Sequence, residues 1–248
     1  ITQKGPVHIN APFEEPLYET VSALSVAANT VAFANNTQTI SIEEVSEYAT
    51  IWNNATKKMI LVGVNEPNAI SKKTITAFAK EESVVVLTET TSNVHHETFI
   101  NTIDTIITPF TEEDFEYFRP EILVTFGGMV VSKRIKTFLR KYKPKHHWHI
   151  DPWRAYDTFG ALTKHFEVTP NVFFDAFLPL TNATESNYFQ QFNAVKVLRK
   201  LKSDFYLSKI PFSDFKVFEK VIQRLPMNSQ LQISNSSAIR YAQLIDID

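Results

Sequence analysis

The sequence predicts an α/β protein with a doubly wound, mainly parallel sheet, Rossmann-like in its layering. Three observations carry that prediction. Short apolar runs alternate with segments of helical periodicity from residue 41 to about residue 180. The runs are mostly apolar throughout rather than alternating, as strands covered on both faces are. Residues 122–151 also hold a complete β–turn–α–β unit, around which the other elements arrange themselves.

In that unit Ile122-Leu123-Val124-Thr125-Phe126 is a strand, and Gly127-Gly128 permits a tight turn and close approach of another group. A helix follows from Val131, with Ile135, Phe138 and Leu139 at apolar spacing, and ends near Tyr142 before Pro144. Residues 147–151 form the next strand, with His147, His149 and Asp151 on one face and Trp148 and Ile150 on the other. The helix start offers free backbone N–H groups, beside the cations Lys133 and Arg134, where an anion could sit. A plain turn with two solvated cations is the alternative.

Upstream, residues 5–10 read as a brief strand, residues 11–18 as a proline-punctuated extended segment, and residues 20–36 as a linker. Ser41 and Glu44 have capping-box spacing at the head of a helix whose apolar face is Ile42, Val45, Tyr48, Ala49 and Trp52. Strands over residues 57–64 and 84–88 flank a helix over 68–80. Residues 103–107 read as another strand and 111–118 as an acidic short helix. A strand within residues 159–168 and a helix over 169–177 complete the alternation. Beyond a loop at 181–187, the stripe Phe189, Phe192, Val195, Leu198, Leu201 and Phe205 marks a long helix that packs on the core or on another domain. A helix over 213–225, a strand over 230–233, and a turn in which Asn235 and Ser236 cap a last helix close the chain.

Composition narrows the chemistry. The chain has 248 residues, 44% hydrophobic and 21% charged, as globular domains do. A formal net charge of −2 offers nothing to attract nucleic acid or anionic membrane. The absence of cysteine excludes disulfides, thiolate catalysis and Cys-ligated metal. With no signal peptide in view, a cytoplasmic protein is expected. The chain starts without methionine and stops in a helix-like segment, which reads as a piece of a longer polypeptide.

Of the three glycines in a dinucleotide fingerprint only the first is present, because positions 129 and 132 are Met and Ser, although Asp151 stands where a ribose-binding acid would. No phosphate-loop lysine motif and no Gly-x-Ser-x-Gly elbow occur. His95-His96, and His147 with His149 and Asp151, are the thinkable metal ligands; adjacent or in-strand spacing converges poorly on one ion, and a polar strand face packed under a loop is the other reading. From the residues alone the reading stops at an α/β domain with a possible anion or nucleotide site.

Three stretches together resemble a known family. Residues 5–18 (Gly-Pro-Val-His-Ile-Asn-Ala-Pro-Phe-Glu-Glu-Pro-Leu-Tyr), Phe126-Gly127-Gly128 through Ser132-Lys133-Arg134 with Trp148-His149-Ile150-Asp151, and Asn235-Ser236-Ser237-Ala238-Ile239-Arg240 are similar, in order and spacing, to the MenD family. These are the 2-succinyl-5-enolpyruvyl-6-hydroxy-3-cyclohexene-1-carboxylate synthases of menaquinone biosynthesis. The resemblance implies the end of a pyrimidine-binding domain and linker (1–36), a central Rossmann-like domain (37–205), and a linker helix with the start of a diphosphate-binding domain (206–248). It implies a thiamine diphosphate- and Mg²⁺-dependent transferase that decarboxylates 2-oxoglutarate and adds the succinyl unit to isochorismate, working as a homodimer or homotetramer. It further implies that Ser236, Arg240, Asn235, Lys133 and Arg134 bind substrate. The family's catalytic glutamate and its Gly-Asp-Gly motif have no counterpart here, so no catalytic, cofactor or metal residue is expected in this chain, and the chain alone is expected to be inactive. A nucleotide- or anion-binding regulatory module using Gly127, Gly128, Lys133, Arg134 and Asp151 is the alternative.

Overall fold

A computed structural model describes residues 8–12, 20, 22–24, 27 and 39–247. The chain divides into two compact units, residues 1–38 and residues 39–248. In the first, the described residues form no helix or strand. The expected strand over 5–10 is therefore not formed at residues 8–10, where Ile9 is exposed and pairs with no neighbouring strand. Residues 5–7, and most of the expected 11–18 and 20–36 segments, lie outside the described residues.

The second unit is built on five strands: β1 (Lys58–Val62), β2 (Val84–Leu87), β3 (Ile122–Phe126), β4 (His146–Ile150) and β5 (Lys164–Phe166). Their order is β2-β1-β3-β4-β5, and every neighbouring pair is parallel. Every residue of β1, β2 and β3 is buried, as the unbroken apolar runs require. The helices in chain order are α1 (Ile42–Asn54), α2 (Lys72–Ala79), α3 (Ile103–Ile107), α4 (Glu112–Tyr117), α5 (Lys133–Lys141), α6 (Pro170–Phe177), α7 (Tyr188–Lys209), α8 (Asp214–Ile222) and α9 (Ser237–Ala242).

The pleat divides the core in two. Ile60, Val62, Val124 and Trp148 pack with Trp52 of α1, Phe78 of α2 and Phe174 of α6 on one face. Met59, Leu61 and Leu123 pack with Ile106 of α3, Phe138 of α5 and Phe192 of α7 on the other. Helices on both faces make the sheet doubly wound, as expected. Ser41 caps α1 by accepting from Glu44 N at 3.1 Å, and Ser71 caps α2 by accepting from Thr74 N at 3.2 Å.

Two elements differ from expectation. Residues 103–107 are helix, not strand: Ile103, Ile106 and Ile107 are the buried positions, an i, i+3, i+4 set that outweighs the β-preference of the isoleucines. Residues 230–233 form no strand, and Leu231 is exposed; alternation without a partner strand does not make a sheet. The apolar face of α1 loses one member, since Ile42 is exposed. The long stripe on α7 divides as well: Phe192 is buried in the core, while Leu198, Leu201 and Phe205 stay exposed.

Candidate functional site

The order β2-β1-β3 places the reversal of winding between β1 and β3, where open α/β sheets present ligands beyond the strand ends. Here the two loops close on each other. A Cβ on Gly63 would lie 1.9 Å from the Gly128 carbonyl oxygen, and Gly128 N–H donates to the Val64 carbonyl at 2.7 Å. Gly127 turns the chain at φ +80°, a conformation open to glycine. What remains between the ends of β1, β3 and β4 is a cleft of about 130 Å³, bordered by His149, Asp151, Arg154 and Tyr156.

Two of the N–H groups after the glycines, both ahead of the helix, are taken from within the chain. The carboxylate of Glu89, just beyond β2, accepts from Val131 N and Ser132 N, each at 2.6 Å, and Ser132 Oγ caps α5 by accepting from Ile135 N at 3.1 Å. The protein thus sets a carboxyl group of its own against the approach to α5 and engages the N–H groups that precede the helix, not those of Lys133 and Arg134 that begin it. Glu89 is buried, and burial raises its pKa above the ordinary carboxylate value, with the two N–H bonds acting against that rise.

The cations of this helix start face elsewhere. Lys133 and Arg134 border a cavity of about 990 Å³, together with Arg199 and Lys202 of α7, Arg240 of α9, and Asn235. Asp104 of α3 is the acid in this lining. Five cations against one acid, on a chain of net charge −2, concentrate positive potential at one place. Arg199 is oriented by donating from Nε to the Thr105 carbonyl at 3.1 Å. Tilted ring contacts of Tyr241 with Phe215 and Phe218, with centroids 5.6 and 5.4 Å apart, seat α9 on α8. Lys133 and Arg134 also border a separate depression of about 410 Å³ lined by Phe110, Phe115 and Phe138.

Four of the five expected substrate residues, Lys133, Arg134, Asn235 and Arg240, thus line one cavity, although they come from distant parts of the chain. Ser236 does not line it. Neither does Ser236 cap α9 with its side chain: it is held at φ 72°, ψ −127°, a strained backbone for a residue with a Cβ.

The histidines do other work. Thr125 Oγ1 lies 2.9 Å from His147 Nε2 and 2.8 Å from His149 Nδ1, and the His147 ring packs edge-on to Phe159. Burial, and then the neighbouring His149, lower the His147 pKa to about 4. Asp151 accepts from Trp153 N and Arg154 N at 2.8 and 2.9 Å, fixing a turn. His96 Nδ1 accepts from Thr98 N at 3.2 Å. Among the described residues no group of three or more His, Asp or Glu is placed to hold a metal ion.

Sequence reasoning missed Arg199, Lys202, Asp104 and Glu89. Arg199, Lys202, Ser203 and Tyr206 stand at i, i+3, i+4 and i+7, a polar helix face that the spacing does show. Glu89 had one signal, an acid at the carboxyl end of a buried strand.

With this geometry in view, comparisons place the chain. A family profile described as the middle domain of thiamine pyrophosphate enzymes matches residues 28–233. The chain is 62% identical over 249 residues to a 2-succinyl-5-enolpyruvyl-6-hydroxy-3-cyclohexene-1-carboxylate synthase of Flavobacterium johnsoniae, covering 100% of this chain and 45% of that protein. It is 48% identical over 253 residues to the synthase of the same name from Christiangramia forsetii (100% and 44% covered). Identity to that of Porphyromonas gingivalis is 31% over 253 residues (98% and 44% covered). The chain spans less than half the length of these relatives. No helix among the described residues is long and apolar enough to cross a membrane. The chain belongs to the thiamine pyrophosphate enzyme middle-domain family, as represented in the 2-succinyl-5-enolpyruvyl-6-hydroxy-3-cyclohexene-1-carboxylate synthases.

Proposed function

We propose that this chain is the central part of a thiamine diphosphate-dependent transferase that decarboxylates 2-oxoglutarate and adds the succinyl unit to isochorismate in menaquinone biosynthesis. The observation that carries the reading is the cavity of about 990 Å³ with Lys133, Arg134, Arg199, Lys202 and Arg240 on its walls. Both substrates carry carboxylates, and convergent Arg and Lys side chains bind such groups through charge-assisted hydrogen bonds. Asn235 adds an amide, while Ser236, expected from the resemblance to bind substrate, stands next to it in the chain but outside the cavity lining. In this reading residues 37–205 are the central domain, residues 1–36 end a pyrimidine-binding domain, and residues 206–248 begin a diphosphate-binding domain. The exposed second half of α7 supports packing against further domains or subunits of a homodimer or homotetramer.

For Mg²⁺ the cavity lining offers one carboxylate, Asp104, and among the described residues no group of three or more acids or histidines is placed to hold a metal. In this reading the chain supplies substrate-side cations, and the isolated 248 residues are expected to be inactive. Calorimetric titration of the isolated chain with thiamine diphosphate and Mg²⁺ is expected to be silent; tight binding would overturn that part. For the main reading, Arg240→Ala and Lys133→Ala in the full-length protein are expected to raise KM for 2-oxoglutarate or isochorismate about ten- to a hundredfold, the worth of one hydrogen bond to a charged group. Unchanged KM for both substrates in both variants would sink it.

A further inference from the structure

We infer that Glu89 is a positioning residue for carboxylate capture: from the end of β2 its carboxylate clamps the N–H groups of Val131 and Ser132, and so fixes the first turn of α5, on which Lys133 and Arg134 stand. The inference rests on the reading of the large cavity as a carboxylate site and assigns the part that presents two of its cations.

The clamp is anchored at both ends. Glu89 N–H donates to Ser92 Oγ at 2.8 Å, and the Ser92 hydroxyl donates to the Val62 carbonyl, at the end of β1, at 2.7 Å. The carboxylate then uses one oxygen for each N–H, Oε2 for Val131 and Oε1 for Ser132. Ser132 Oγ also contacts Asp104 Oδ1, so two acids from two elements hold the residue that caps α5. Lys133 and Arg134 follow Ser132 directly in the chain. A line of hydrogen bonds therefore runs from the sheet to the cavity wall, which is how supporting residues hold a site in place.

Two N–H donors on one group call for two acceptor oxygens. A glutamine offers one oxygen and sets its own N–H₂ against the second donor; an aspartate is shorter by one methylene and reaches less far. The charged groups that act on Glu89 are Asp104 on α3, which opposes its ionisation, and Lys136 on α5, which favours it. Lys136 also donates to the Val130 carbonyl at 3.0 Å, on the same loop. Protonation of Glu89 removes the charge from both clamp bonds, so the hold on the loop weakens as the pH falls through a value above the ordinary carboxylate pKa of 4.5.

The test is made in the full-length protein, with 2-oxoglutarate and isochorismate as substrates and hydrogen exchange followed on the segment containing residues 129–135. In Glu89→Gln, KM for one or both carboxylates is expected to rise about ten- to a hundredfold while kcat changes less, as when binding groups are displaced by about an ångström. Exchange at 131–135 should speed up, Glu89→Asp should recover part of the loss, and the rise of wild-type KM toward acid should vanish in Glu89→Gln. Wild-type KM and an unchanged acid limb in Glu89→Gln would overturn the positioning role alone. Absence of turnover in the wild type, or unchanged KM in Arg240→Ala and Lys133→Ala, would overturn the cavity reading and this inference with it. Should Glu89→Gln fail to fold, the wild type decides: acid midpoints for KM and for exchange at Val131 and Ser132 must coincide, and separate midpoints overturn the inference.

Discussion

Acidification acts on this protein through a buried imidazole, and the size of the effect follows from the site. His147 is 1% exposed, with its Nε2 committed to Thr125. Burial holds its pKa at about 4, against 6.5 for a solvated ring. Between those two values the unfolded chain binds a proton that the folded chain refuses, so stability falls as the pH falls. The contribution is fully present above pH 6.5 and disappears progressively toward pH 4. At about 1.4 kcal/mol for each tenfold in proton affinity, the loss from this residue is about 3 kcal/mol. That is a large share of the total stability of a domain, which is about 5–15 kcal/mol. His149, also held down by burial, adds in the same direction, so the wild-type curve alone does not isolate His147. His147→Gln does, because an amide keeps a partner for Thr125 and has no proton to gain. Urea melts of both proteins at half-unit steps from pH 7.5 to pH 4 should show the wild type losing about 3 kcal/mol more than the variant. Parallel pH profiles would refute the reasoning, since they would mean that the folded ring takes up its proton as readily as the unfolded one.

Three further outcomes are expected. Lys58 is fully buried, its Nζ bonded to Ser83 and Thr184, and burial lowers its pKa to about 8; stability should therefore rise with pH from 8 toward 10.5, and Lys58→Met should flatten that rise in melts across the range. Gly63→Ala forces a Cβ into the Gly128 carbonyl, and should cost about 1–3 kcal/mol in denaturant melts. Ser236→Gly relieves a backbone at φ 72° and should raise stability by about 1 kcal/mol in denaturant melts.

What the sequence disclosed depended on how far apart the interacting residues lie. The cap and stripe of α1 are local, and Ser41, Val45, Ala49 and Trp52 take their expected places, whereas the Glu44 side chain pairs with Lys164 instead of closing the capping box. The run Ile103–Ile107 is local too, yet five residues admit both periods, and only the packing of Ile103, Ile106 and Ile107 against the sheet decides for helix. The partition of β4 into a Trp148–Ile150 face and a His147–His149 face follows from the pleat, but its consequence, a hydroxyl shared by two imidazoles, needed Thr125 of β3 in register beside it. For the cavity, periodicity is silent: Lys133 and Arg134 stand out by their place at a helix start, Asn235 and Arg240 as substrate residues by resemblance, and tertiary packing brings the four to one cavity. Arg199 and Lys202 were readable as one helix face, but the apolar stripe of the same helix drew attention away from them. Glu89 reaches partners 42 and 43 residues away, and no local pattern encodes such a contact.

Those long-range contacts explain why the candidate site lies where it does. In an open parallel sheet the ligand ordinarily enters the crevice at the reversal of winding and meets a helix N-terminus there. In this chain the crevice is narrowed and the approach to the helix is occupied from within. Gly63 and Gly128 bring the two loops into backbone contact and leave a cleft of about 130 Å³, and Glu89 meets Val131 and Ser132 ahead of α5. A diphosphate arriving at that position would meet the buried Glu89 side chain already bonded to Val131 N and Ser132 N. The same carboxylate leaves Lys133 and Arg134 on the outer side of the turn, where α3, α7 and α9 enclose a cavity about eight times larger. One carboxyl group thus occupies the approach to α5, and the two cations that follow it in the chain border the larger cavity.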